Sequence, residues 1–125
     1  EKQGRALVWR RAGEWCEIRV AGVCAGVATD WQHRRNRSQQ GTWAASNGLA
    51  LCRPCHRHVH DNPAEAMASG WTVPSWKDPA STPVELFDGF VILGDDGHRY
   101  DPPHKHGCAV WTSDEPCDLN CQEAL

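Results

Sequence analysis

Phenylalanine, tyrosine and methionine are nearly missing from this 125-residue chain, with two, one and one copies. A core built mainly on Phe and Tyr is therefore excluded. No apolar run approaches the roughly 18 residues of a membrane span, so no spanning helix and no membrane partner are expected. No basic n-region followed by an apolar stretch opens the sequence, so no secretory signal is expected. The chain starts at Glu1 rather than Met, which leaves room for a preceding piece. Basic residues are scarce in the second half. Residues 61–125 hold three Lys/Arg against twelve Asp/Glu, a net −9, whereas residues 1–60 hold ten against four, a net +6. A basic half on an acidic protein points to a polyanionic partner at one end.

Tryptophan and cysteine, at seven copies each, are abundant. The length is that of one domain, which buries roughly two thirds of its unfolded surface. The cysteines form two groups: Cys16, Cys24, Cys52 and Cys55, then Cys108, Cys117 and Cys121. An odd count is unlike a secreted disulfide scaffold and fits metal-held thiolates in an intracellular, cytoplasmic protein. Cys52 and Cys55 form C-x2-C, a spacing that lets two sulfurs reach one tetrahedral ion. Cys16 and Cys24, with Gly22 between them, are the candidates for the second pair of a structural zinc site. The alternative is two buried cysteines plus a disulfide.

Residues 5–20 read as a short helix or turn followed by strand. Residues 27–35 read as strand, 36–47 as a polar loop and 48–52 as a short apolar strand. A helix is expected from about 53 to 60, with Pro54 in its first turn. A second helix spans 62–70, capped by Asn62 and stopped by Gly70. "WTVPSW" and "PVELFDGFVIL" each suggest a short strand, the first demoted to an edge by Pro74. His56 and His60, four apart on a helix, share a face and can share a metal; His58 points away.

The stretch "QHRRNRSQQGTWAASNGLALCRPCHRHVHDNP", residues 32–63, resembles the HNH endonuclease family, and in particular its small phage and actinobacterial members. With the cysteines and the following "AEAMASGW", the resemblance covers about residues 5–76. It implies an α+β fold with a zinc-stabilised ββα-metal core in residues 1–76; residues 77–125, which carry no part of the resemblance, read as a short, acidic, partly β or irregular extension. It also implies a phosphodiester hydrolase acting on DNA. His33 would be the general base and Asn47 the brace of its loop. His56 and His60, with residue 32, would hold a single catalytic divalent ion, Mg, Mn, Ni or Zn. Cys16, Cys24, Cys52 and Cys55 would hold the structural zinc.

The chain departs from the family's pattern at Gln32, where His or Asp is usual, and at Gln40, where Gly is common. A glutamine carbonyl is a weaker ligand for a hard ion than a carboxylate. Asp30, on the same face of the strand, could substitute directly or through a water. Arg34, Arg35, Arg37, Arg53 and Arg57, with Arg10 and Arg11 upstream, are expected against phosphates, since guanidinium forks suit phosphate oxygens. Trp31 and Trp43 bracket the base and either pack beside it or stack on DNA. His104, His106 and the last three cysteines could form a second metal site, stay as free thiols or belong to an acidic docking tail. Two other functions stay open: a non-catalytic, zinc-stabilised DNA-binding module, and a phage accessory protein working beside a terminase.

Overall fold

The first helix begins at once and ends for a local reason. In the computed structural model, which describes residues 2–36 and 42–102, α1 spans Lys2–Ala12. Gly13 and Glu14 follow at positive φ, which breaks the helix. Arg10 and Arg11 occupy the last turn, where cations complement the helix dipole. Gly4 and Val8 are the buried positions of α1. Gly4 lets the helix approach the Trp43 carbonyl, which an added Cβ would strike.

The strand expected after this helix is a single bridge, Trp15 to Val27. Positive φ at Glu14 and Arg19 interrupts extension, and the chain turns so that Cys16 and Cys24 face inward. Strand β1, Asp30–His33, pairs antiparallel with β2, Gly48–Leu51, in the register Asp30↔Leu51 to His33↔Gly48. All four residues of β2 are buried. Leu49 and Leu51 face the main core, while Ala50 joins Val8, Ala28 and Ala45 beneath α1. Helix α2, Arg53–Asp61, follows directly, and α3, Pro63–Ala68, follows it, with Gly70 at φ +76° after its end.

Residues 71–76 are not a strand. Their one backbone–backbone bond to the segment that continues β1 runs from the Val73 N–H to the Arg34 carbonyl, and the chain then turns at Pro74. "PVELFDGFVIL" is two strands rather than one: β3, Val84–Leu86, and β4, Gly89–Leu93, form a hairpin with Phe87–Asp88 as its two-residue loop. Gly89, at φ +125° directly after this loop, accounts for the split. A two-residue β5, Arg99–Tyr100, completes the second sheet, in the order β3-β4-β5. The result is a small mixed α and β protein with three helices and two antiparallel sheets among the described residues. Val84, Leu86 and Leu93 pack in one core with Leu49, Leu51, Val59 and Trp71. No helix among the described residues is long and apolar enough to cross a membrane.

One buried ion pair ties α1 to this frame. Arg11 grips both carboxylate oxygens of Glu17 at 2.7 and 2.8 Å and donates to the Ala45 and Gly48 carbonyls. Glu17 accepts in turn from the Ala50 N–H. Arg11 is therefore buried structure rather than a phosphate contact, whereas Arg10 stays exposed.

Candidate functional site

Cys52 caps α2: its Sγ accepts from the Cys55 N–H at 3.4 Å. Cys55 is the third residue of that helix, so both sulfurs sit at one helix start. The loop from Cys16 brings two more. The four sulfurs of Cys16, Cys24, Cys52 and Cys55 lie within 4.8 Å of one another, close enough to hold a metal ion such as zinc. Sulfurs bound to one tetrahedral ion at about 2.3 Å stand about 3.8 Å apart. Cys24 and Cys52 are 3.8 Å apart, and all four cysteines are free rather than disulfide-bonded.

Backbone donors favour thiolate in this quartet. Ala25 N–H donates to Cys52 at 3.3 Å and Gly26 N–H to Cys24 at 3.2 Å. Burial pushes the Cys24 and Cys55 thiols up. Burial pushes Cys52 the same way, but the N–H groups of Ala25 and Cys55 outweigh it and bring it down to about 7. Among the described residues this is the one group of three or more Cys, His, Asp or Glu whose donor atoms converge.

A second assembly lies on the neighbouring side of α2. Cys55 and Val59 face the core, while His56 and His60 stand on the adjacent face with ring centroids 4.9 Å apart. Both line an open cleft of about 690 Å³, together with Gln32 and His33 from β1. His33 is set edge-on against Trp43 at 4.4 Å and Trp31 at 5.8 Å, and the two tryptophans pack on each other at 5.1 Å. Gly48 makes room for this stack, since a Cβ there would run into the Trp31 ring. Gln32 is buried, and its amide nitrogen donates to the His33 carbonyl at 2.9 Å and the Trp71 carbonyl at 3.5 Å.

Asn47 does not line the cleft. It cinches the loop behind it, accepting from the Arg35 N–H at 2.7 Å and donating to the Arg35 and Thr42 carbonyls. Asp30 also stands outside the cleft. Its Oδ2 lies 2.9 Å from His56 Nδ1 and accepts from Arg53 Nε at 2.9 Å. Burial pushes this carboxyl up, but hydrogen bonds from His56, Thr29 and Arg53 outweigh it and hold it at about 2. An ionised carboxylate only accepts, so His56 donates to it from Nδ1. Sequence reasoning placed Asp30 near a metal but missed its grip on His56, because spacing along the chain does not reveal that β1 lies against the start of α2. It also missed Met67 and Trp76 on the cleft wall, which nothing in their spacing marks.

The arginines divide sharply. Arg34 is a correction: at 1 % exposure it reaches no partner in solvent. Its guanidinium donates to the carbonyls of Gly70, Ser46, Pro79 and Thr82 at 2.8–2.9 Å. Burial pulls its pKa down to about 9, which leaves it charged at neutral pH. Arg35 is half-buried and donates to the Ser75 and Lys77 carbonyls. Arg53 and Arg57 are exposed on α2. His58 turns from the cleft to Glu65, 2.9 Å away, and the edge of Trp71. Arg37, Gln40, His104, His106, Cys108, Cys117 and Cys121 lie outside the described residues. Compared with protein-family models, curated proteins and solved structures, the chain matches none of them.

Proposed function

We propose that this chain is a metal-dependent HNH-type endonuclease that hydrolyses DNA phosphodiester bonds, with zinc in the cysteine quartet as its structural support. The observation that carries this reading is the meeting of Gln32, His33, His56 and His60 on one cleft, with Asp30 behind His56 and Asn47 behind the His33 loop. The order β1, β2, α2 that brings them together supports a ββα core.

Hydrolysis of a phosphodiester requires an activated water and a stabilised leaving oxygen. An imidazole suits the base role near neutral pH. His33 takes the proton from the attacking water, its ring angle set by Trp31 and Trp43. A divalent ion bound in the cleft would supply the Lewis acid for the phosphate and the leaving 3′ oxygen. Gln32, His56 and His60 would hold it. With the Gln32 nitrogen engaged by two carbonyls, its oxygen is the donor that remains. The Asp30–His56 contact is the carboxylate–imidazole arrangement that orients a ligating histidine. Two imidazoles and a neutral carbonyl suit nickel, zinc or manganese better than magnesium, which favours carboxylate oxygens.

The test is cleavage of supercoiled plasmid by chelator-stripped, zinc-reloaded protein with Mg²⁺, Mn²⁺ or Ni²⁺ added in turn. Ion-dependent nicking that disappears in His33→Ala is expected. Full activity in His33→Ala would remove the base assignment. A second reading, a non-catalytic DNA-binding module, draws on Gln32, whose hydrogen bonds to backbone give it a structural role that needs no ion. DNA binding without cleavage under every ion would favour that reading.

A further inference from the structure

Trp76 stands apart from the other described tryptophans. Trp71 is buried, and its indole N–H donates to the Glu85 carbonyl at 2.7 Å. Trp31 and Trp43 pack on each other and on His33. Trp76 is 81 % exposed, yet it lines the same cleft as the histidines. A single exposed ring is ordinary on a protein surface; Trp76 differs because it lines one cleft with the half-exposed Met67 and with His33, His56 and His60.

Its position is fixed rather than incidental. The Lys77 N–H donates to the Pro74 carbonyl at 3.1 Å and closes a turn with Trp76 near its tip. Arg35, which follows β1 and the cleft histidine, donates to the Ser75 and Lys77 carbonyls at 3.2 Å on either side of that tip. The turn is thereby tied to the strand that carries His33. Met67, half-exposed on α3, extends the apolar wall. Arg35, bonded to the Ser75 and Lys77 carbonyls, and the exposed Lys77 that follows Trp76 place two cations at this turn. An open aromatic face flanked by cations, on a cleft, is the combination that takes a nucleotide: the base stacks and the phosphate pairs.

We propose that Trp76 is a stacking platform for one unpaired nucleobase at the mouth of the histidine cleft, and that the preferred substrate is therefore single-stranded or locally unpaired DNA. This deepens the nuclease reading and rests on it for the chemistry, though not for the binding. In a duplex both faces of a base are covered by its neighbours, so a base must leave its stack to reach Trp76. An unpaired strand does so at least cost. Stacking tolerates any base, because every base has a π-face, so no sequence preference arises from this contact.

The experiment is fluorescence anisotropy with a labelled 20-mer of thymidine and with a 20-base-pair duplex, using the zinc-loaded full chain and no second ion. Trp76→Ala should weaken single-strand binding about tenfold, within the range of one base stack, and change duplex binding less than about twofold. Trp76→Phe should recover most of the loss, which a merely structural role of the turn would not predict. An equal loss on both nucleic acids, or no loss, overturns the platform. Cleavage of the same two substrates with Mn²⁺ or Ni²⁺ separates the two proposals. Equal cutting of both forms, unaffected by Trp76→Ala, removes the platform and keeps the nuclease. Trp76-dependent single-strand binding with no cutting keeps the platform and removes the nuclease. Absence of both removes both.

Discussion

Arg34→Met tests whether Arg34, buried at the meeting of three segments, holds the fold or binds a polyanion. Arg34 directly follows the proposed base in a basic run, which reads as a phosphate contact. In the structure its guanidinium is shut inside the protein, where it gathers four carbonyls from three segments: Ser46 before β2, Gly70 after α3, and Pro79 and Thr82 in the turn before β3. Arg34→Met removes every one of those donors. A buried acceptor left without its partner costs about 1–3 kcal/mol, so four could cost up to about 12. Relief from burying a charge returns several kcal/mol of that. The net expectation is a loss of about 3–5 kcal/mol, the usual result of removing a buried charged partner.

With a urea m-value of about 2 kcal/mol per molar, the unfolding midpoint should fall by about 2 M. Arg34→Lys should recover little of it, because one ammonium cannot serve carbonyls set around a planar fork. Arg57→Ala is the control. Its side chain is exposed, so stability should move by less than about 0.5 kcal/mol. The salt dependence of DNA binding should instead become shallower by about one unit of slope. An Arg34→Met protein with an unchanged urea midpoint and a shallower salt slope would refute the structural assignment and return Arg34 to the nucleic-acid interface.

Three further outcomes are expected. Stripping metal with a chelator should abolish or sharply lower the thermal transition and zinc should restore it; Cys24→Ser should weaken the near-ultraviolet thiolate-to-metal band of the cobalt-loaded protein. Asp30, held at about 2 against an ordinary 3.8, contributes stability that is present above pH 4 and lost as pH falls through 2. That contribution is about 2 kcal/mol, and an acid titration of Asp30→Asn should lack this limb. Gly48→Ala should cost about 1–3 kcal/mol by overpacking and change the near-ultraviolet circular dichroism of the Trp31–Trp43 pair, whereas an unchanged spectrum would mean that Trp31 is not wedged there.

Local signals in this sequence were informative where local physics decides the outcome. Pro54 and Pro63 mark helix starts, Gly70 marks an end, and the C-x2-C pair predicts a convergence of sulfurs that the fold displays. The failures share one cause, long-range contact. Arg11 and Arg34 resemble the surface arginines around them, and nothing nearby in the chain says that the Ala45 and Gly48 carbonyls will hold the one and four distant carbonyls the other. Residues 71–76 alternate like a strand, but Arg34 holds the Gly70 carbonyl and offers its own to Val73, so the segment closes over β1 instead of pairing in a sheet. The Asp30–His56 contact is invisible for the same reason.

The cysteine quartet and the histidine cleft are not independent, because one short helix carries half of each. Cys52 caps α2, Cys55 lies in its first turn, and His56 is the next residue. With 3.6 residues per turn, one step rotates the side chain by about 100°. The constraint that directs Cys55 to the quartet therefore directs His56, and one turn later His60, to the cleft. Helices of this length are marginal in water without tertiary anchoring. Val59 alone among the remaining α2 residues is buried, which is thin anchoring for nine residues. A metal in the quartet would fix the start of α2 on one side, while Asp30 holds His56 on the other. With such an ion bound, the aim of the two histidines would depend on a metal they do not touch, and an assay of the cleft is best run on protein whose quartet is loaded.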